Sequence, residues 1–349
     1  MNNVIQYLIE HGGCSIQYRI RREILNEATA NKDLSNLKNQ IMEKPKVKKI
    51  IDQRQSDGWL GNELHGGPGK GLDSSVTFLL NFGVERESLF MKDVINALLQ
   101  EKKETSYRTT FKGGEALDLG GRGGNKAVKA GILAELGEEN NLLVQDEIKT
   151  SLYYFKESLL YNNINDFSMV NKKGIRYYKP DAHFPGSNHL FLLAQTQSWR
   201  TTDNIELIRN SLEHCIKIMR GNSHDIMFKT SSYFVGPFNF NWNFYNFDID
   251  ELHQDSYALV WWLRNLFKLS KIGMINQLPE LKKAYDYLYQ LIKSREILDK
   301  QNEESLKRYK QILSVENNWR KKESIICDVL FYSIIILHNA GYEVKEISF

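Results

Sequence analysis

Apolar positions recur along this chain at helical rather than strand-like spacing. Ile205, Ile208, Leu212, Cys215 and Met219 stand at i, i+3, i+7, i+10 and i+14, which paints one stripe down a helix. Asp203 precedes that stripe as an N-cap, and Glu206, three residues on, completes a capping-box pair. Ile16, Ile20 and Ile24 form a second stripe; Met91, Val94, Ile95 and Leu98 form a third. Two segments, Tyr257–Leu269 and Ile325–Leu337, are apolar nearly all round, as helices buried on several sides are. Striped and all-round apolar helices together predict an outer layer wrapped around an inner one. The pattern yields about a dozen helices and no period-2 strand, so the fold class is all-α.

Between pairs of helices run five long loops rich in Gly and aromatic residues: Asp57–Leu72, Thr105–Asn125, Tyr161–Ser187, Gly221–Leu252 and Ser294–Trp319. The other connectors are short: Gly83–Ser88, Gly137–Asn141, Ser198–Asp203 and Ser270–Leu278. Long and short turns alternate when helical hairpins put every second turn at the same end, so the long loops crowd one rim, where function concentrates. An open α-solenoid and a closed α/α toroid both fit hairpins. Solenoids repeat at a near-fixed period. Here the long loops centre near residues 64, 115, 174, 236 and 307, with no recurring motif. That drift favours an (α/α)6 toroid, a barrel of helical hairpins forming a single domain over residues 1–349.

Composition narrows the partners. Hydrophobic residues at 42% and charged ones at 26% suit a soluble domain with a sizeable core. A net charge of +3 without a compact basic stripe argues against nucleic acid. Lys46, Lys48 and Lys49 read as a solvated helix face. Three scattered cysteines, Cys14, Cys215 and Cys327, lack metal-type spacing and suit a reducing compartment. No secretion signal and no membrane-length apolar run is evident, so a cytoplasmic, soluble protein is expected, a monomer by default.

The stretch Val47–Gly61, VKKIIDQRQSDGWLG, resembles the repeat of the terpenoid cyclase and protein prenyltransferase superfamily. That repeat has an apolar helix end, a Gln, then Asp-Gly and Trp; the matching positions are Gln55 (or Gln53), Asp57, Gly58 and Trp59. Tyr18–Leu25 resembles the first helix of bacterial members, and His183–Leu190 resembles a loop entering a helix there. The resemblance implies a six-hairpin α/α toroid with a cavity at one mouth. It also implies that Gln55, Asp57 and Trp59 are structural, tying one helix end to the start of a neighbour. Unsatisfied backbone groups at helix ends give that role a physical basis.

The family's chemistry-bearing motifs are not reproduced. The acidic Asp-x-Asp-Asp of class II cyclases has its nearest counterpart in Asp248-Ile-Asp250-Glu251, one residue off. No Asp-x-Cys zinc motif exists, and Cys327-Asp328 with His338 reads as a core cysteine and a helix-end histidine. The richest candidate site is Tyr233–Asp255. It sets Tyr233, Phe240, Trp242 and Tyr245 beside Asp248, Asp250, Glu251, His253 and Asp255. Aromatic faces stabilise cations and stack on sugar rings. Clustered carboxylates raise one another's pKa and can donate protons. A plainer reading is an insertion packed down on its aromatics, with the acids opening the next helix.

Around the same rim stand His65, His183, Lys70 and Arg122 as further substrate-binding candidates, the last two with Arg108 and Lys112 able to hold an anion such as pyrophosphate. His65, His183, His189 and His224 with Asp250, His253 and Asp255 also offer donors to a divalent metal, but no local pairing marks a ligand set. The glycine pairs of 113–124 match no phosphate-loop pattern, and no cofactor is expected.

Three functions follow from this reading. One is a cyclase- or transferase-like enzyme acting on an elongated apolar or isoprenoid molecule, with Asp250 as acid. The second is a carbohydrate-active lyase or hydrolase using the carboxylates as an acid–base pair. The third is a non-catalytic small-molecule binding protein on the same fold.

Overall fold

The computed structural model describes residues 3–28, 31–100, 108–111, 113–120, 123–220, 226–236, 252, 256–273, 278–299, 303–316 and 319–347. Of these, 62% are helical. The first helices are α1 (Val4–His11), α2 (Cys14–Arg19), α3 (Lys32–Met42), α4 (Pro45–Ile51), α5 (Leu72–Asn81) and α6 (Leu89–Leu99). There follow α7 (Gly114–Leu119), α8 (Asn125–Glu135), α9 (Leu142–Ser158), α10 (Ile164–Phe167), α11 (Ser187–Gln195) and α12 (Thr202–Met219). The last are α13 (Ala258–Ser270), α14 (Pro279–Lys293), α15 (Glu296–Asp299), α16 (Glu303–Ile312) and α17 (Lys322–Asn339). Contacts divide the chain into two compact units. The first unit comprises Met1–Lys49, Leu79–Glu85 and Phe244–Phe349; the second comprises Ile50–Phe78 and Arg86–Asn243.

In the second unit, α8 packs against α9 and α11, and α9 packs against α12. Two hairpins therefore lie side by side, first helix on first and second on second. Helix α8 is buried at Asn125, Ala127 and every position from Ala130 to Glu135, as an inner helix must be. Helix α12 buries only its stripe through Ile208, Leu212, Cys215 and Met219, as an outer helix does. Its cap differs from the sequence expectation. Thr201 is the N-cap, its hydroxyl accepting from the Asn204 amide at 3.3 Å, while Asp203 sits in the first turn. A threonine two residues upstream meets the same need, and the apolar stripe alone does not fix the boundary.

Two strand ribbons interrupt the long loops where the sequence shows no period-2 signal. Strand β1 (Ser168–Val170) pairs antiparallel with β2 (Arg176–Tyr178), and β3 (Phe228–Lys229) with β4 (Phe234–Val235). Met227 joins them, donating its amide to the Arg176 carbonyl and accepting from the Tyr178 amide, both at 3.0 Å. Strands of two or three residues are too short for alternation to register.

In the first unit α17 is the central rod, buried continuously from Cys327 to Leu337. Helices α1, α13 and α14 pack on it. Ile20–Ile24 continues α2 as a π-helical turn, and Ile16, Ile20 and Ile24 are all buried. Within α17, Asp328 accepts from the Ser314 hydroxyl at 2.7 Å, the Val315 amide at 2.9 Å and the Trp319 indole N–H at 2.5 Å. This carboxylate therefore fastens the end of the fifth long loop. Burial pushes its pKa up to about 6, against the opposing pull of those donors. Residues 342–347 are tied down: the Val4 amide donates to the Ile347 carbonyl at 3.0 Å, and the Tyr342 hydroxyl to Asp286 at 2.5 Å.

Helix α13 departs from the all-round apolar expectation. Trp261, Arg264, Lys268 and, just beyond it, Lys271 leave a partly exposed stripe. Trp261 is 43% exposed, whereas Trp262 beside it is fully buried.

Candidate functional site

Four of the long loops touch one another within the second unit. Arg108, in the second loop, reaches the first: its guanidinium donates to Gln55 and to Asp57 and lies 5.1 Å over the Trp59 ring. Asp57 also accepts the Trp59 amide at 3.2 Å, and Gln55 donates its side-chain amide to the Gly61 carbonyl at 2.6 Å. The Arg108 bond holds the Asp57 carboxyl below the usual range. Arg108 is only 3% exposed, so its charge is spent on this brace and is not presented to a ligand. Of Gln53 and Gln55, it is Gln55 whose side chain joins this contact. Gly58 holds φ +95°, and a side chain there would lie 2.5 Å from the Asp93 carbonyl.

The first loop also binds its own candidates. The His65 ring nitrogen Nδ1 meets Asp73 at 2.5 Å, which raises the His65 pKa, and the ring lies 5.2 Å from Phe111 of the second loop. Lys70 pairs with Glu63 at 3.2 Å. Both candidates thus have carboxylate partners close by, Glu63 within the loop and Asp73 in the first turn of α5. The second and fourth loops meet where Phe228 packs on Gly120 and Val235 on Gly113. The third and fourth meet through the strand ribbons.

The second, third and fourth loops meet at a half-open recess. Leu117, Tyr178, Phe184 and Phe228 form its apolar wall, and Asn188 and His189 stand at its polar edge beside Gly186. The recess spans about 330 Å³ including its mouth. Only about one water's worth lies fully inside. Behind it Phe167 stacks on Phe184 at 4.1 Å and 3°, with Tyr161 5.3 Å from Phe167.

Helix α11 places His189 three residues past its Gly186 cap, so the Gly186 amide donates to Nδ1 at 3.0 Å. A neutral His189 therefore carries its ring proton on Nε2. Nε2 points to Gly123, 3.7 Å from where a side chain would begin, and φ +72° there suits glycine. Asn188 donates to the Gly123 carbonyl at 3.2 Å. Tyr154 stacks on His189 at 4.6 Å and meets the half-buried His183 edge-on at 5.1 Å. Two histidines thus flank one tyrosine.

Further along the inner face of α9 stands Glu147, in register with Ser151, Tyr154 and Ser158. Burial first, then the charge of Asp118, pushes Glu147 up to about 7. Burial raises Asp118 too, although its side chain accepts the Lys126 amide at 3.1 Å. The sequence reading passed over Glu147, Asp118, Tyr154 and Asn188. A glutamate in the apolar register of α9 was the available signal, because buried carboxylates are uncommon without a role or a partner.

Of the other candidates, Tyr233 is exposed at the turn between β3 and β4, its carbonyl accepting the Thr230 amide at 2.9 Å. Asp248, Asp250, Glu251, His253 and Asp255 lie outside the described residues, as do Phe240, Trp242, Tyr245, Arg122, Lys112 and His224. Among the described residues no group of three or more His, Cys, Asp and Glu could hold a metal ion. Nor is any helix among them long and apolar enough to cross a membrane. No family model, curated protein or solved structure matches the chain.

Proposed function

We infer that this chain is a terpenoid cyclase-like protein whose helical hairpins close into an (α/α)6 toroid. It binds an elongated apolar or isoprenoid-type small molecule among aromatic side chains at the long-loop rim. One observation carries the reading: the recess walled by Leu117, Tyr178, Phe184 and Phe228 is apolar, with Asn188 and His189 at one edge to fix a polar head. Apolar and aromatic side chains of this kind suit a hydrocarbon chain and stabilise positive charge along it. The recess must widen to admit one, since it encloses only about one water's worth of space here. Acid-initiated chemistry fits Glu147, whose carboxyl remains half protonated near neutral pH. Asp250 stays in this proposal on the sequence reading. A cytoplasmic location belongs to the same reading, supported by three unpaired cysteines.

The test is calorimetric titration with farnesol and farnesyl diphosphate, with maltohexaose as the contrasting ligand. Farnesyl compounds should bind, and Phe228→Ser should weaken them at least tenfold with the unfolding transition unchanged. Binding of maltohexaose alone would sink the isoprenoid reading. It would favour the carbohydrate-active one, for which Asp118 and Glu147 are the specific support: two carboxyls raised by burial, suited to acid and base roles.

A further inference from the structure

The strand ribbons of the second unit have two faces, and the recess uses only one. Residues opposite each other in an antiparallel pair share a face. Tyr178 and Phe228, which wall the recess, lie on the inner face opposite Ser168 and Val235. On the outer face Met169 stands opposite Tyr177, and Lys229 opposite Phe234. The Tyr177 and Phe234 rings meet at 5.5 Å, and Lys229 lies 5.2 Å over Tyr177, so this face runs on from one ribbon to the other. Met169 is 43% exposed, and Tyr177 and Phe234 are half-buried. Val170, on the other side of the same strand, is 49% exposed, so this end of the ribbon stands out into solvent. The turn that follows carries Lys172 and Lys173, both exposed. Residues 168–179 and 226–236 together hold five cations, Lys172, Lys173, Arg176, Lys179 and Lys229, and no acid. Among the described residues no carboxylate pairs with Lys172, Lys173 or Lys229. Lysines guard a free strand edge against pairing with another chain, which accounts for Lys172 and Lys173. It gives Met169 and the aromatic pair no reason to face water.

We propose that this outer face docks on an anionic lipid surface. Met169, Tyr177 and Phe234 settle among the headgroups, while the long lysine stems keep their ammonium groups at the phosphates. Tyrosine suits that depth, because its ring is apolar and its hydroxyl is wet. A projecting ribbon that mixes apolar and basic side chains meets a fluid surface without needing a shaped partner. The charge is complementary throughout, and each lysine near an anionic leaflet strengthens partitioning roughly fivefold.

Co-sedimentation of the full chain with vesicles tests this. Vesicles of phosphatidylcholine with one-third phosphatidylserine should bind the chain at least tenfold more tightly than phosphatidylcholine alone. The double variant Lys172→Gln, Lys173→Gln should weaken that binding at least tenfold, and Met169→Ser about threefold. Unfolding transitions should be unchanged, since all three side chains are exposed. The vesicles carry no isoprenoid, so the outcome is independent of what the recess holds. The proposal is overturned if phosphatidylserine adds nothing or if the double variant binds like the wild type. It is also overturned if Met169→Ser leaves binding intact, a result that would point to an acidic protein as the partner of the lysines.

Discussion

Asp57 and Arg108 are joined by a charge-assisted hydrogen bond across 51 residues of chain. The guanidinium is buried, half-wrapped by Trp59, and its carboxylate partner stands at the edge of solvent. Asp57→Ala leaves that cation without its counter-charge, and we expect a loss of about 2 kcal/mol in chemical denaturation. Arg108→Lys should not restore stability, because an ammonium cannot reach Gln55 and Asp57 together or stack on Trp59. A lysine variant as stable as the wild type would show that the fork geometry is irrelevant.

Acid should release the same brace. The Asp57 carboxyl is depressed in the fold, so its contribution is complete above the ordinary aspartate value of about 4. It disappears as pH falls through the lower folded value. Wild type should therefore lose stability below about pH 4 more steeply than Arg108→Ala, which removes the largest cause of the depression and leaves the weaker pull of the Trp59 amide. Parallel acid profiles for the two proteins would contradict this.

Glu147 has the opposite sign. Its folded value of about 7 lies above the unfolded one, so the fold favours the protonated acid. The stability tied to that proton is complete below about pH 4 and declines as pH rises toward the folded value. Glu147→Gln should thus be more stable than the wild type at pH 8 by about 1–2 kcal/mol, with the gap closing near pH 5. Thermal melts at the two pH values measure it, and a gap independent of pH would remove burial as the cause.

The positive φ at Gly58 offers a backbone test. Gly58→Ala forces a side chain toward the Asp93 carbonyl, and we expect a cost of about 1–3 kcal/mol from the left-handed conformation and the clash. Equal urea midpoints for the variant and the wild type would mean that the turn relaxes freely.

At the start of α12 the structure and the sequence reading make different forecasts. Thr201→Ala should cost about 1 kcal/mol, because the hydroxyl caps the Asn204 amide. Asp203→Ala removes only a first-turn charge and should cost about 0.5 kcal/mol or less. The reverse order in urea denaturation would restore Asp203 as the cap.

Local features were the most legible in the sequence. The stripes of α6 and α12 follow from spacing that lies within a few residues, whereas a structural role for Asp57 and Trp59 was only what the family resemblance implies. The Arg108 partner was invisible as such, because nothing near residue 108 marks which distant carboxylate it meets. On α13, reading Trp and Tyr as core residues hid the exposed strip; exposure depends on what packs opposite, and spacing does not report that. The short ribbons fell below the length at which alternation can be detected. Glu147 and Asp118 needed the packing of α9 before their burial had meaning.

The first unit joins segments more than three hundred residues apart, with Val4 bonded to Ile347 and α1 lying on α17. During synthesis α1 and α2 can pack on each other and on α3 early, but α17, on which α1 also lies, emerges only some three hundred codons later. In the interval the face of α1 that meets α17 is bare, and such transiently uncovered apolar surface is where nascent chains misassociate.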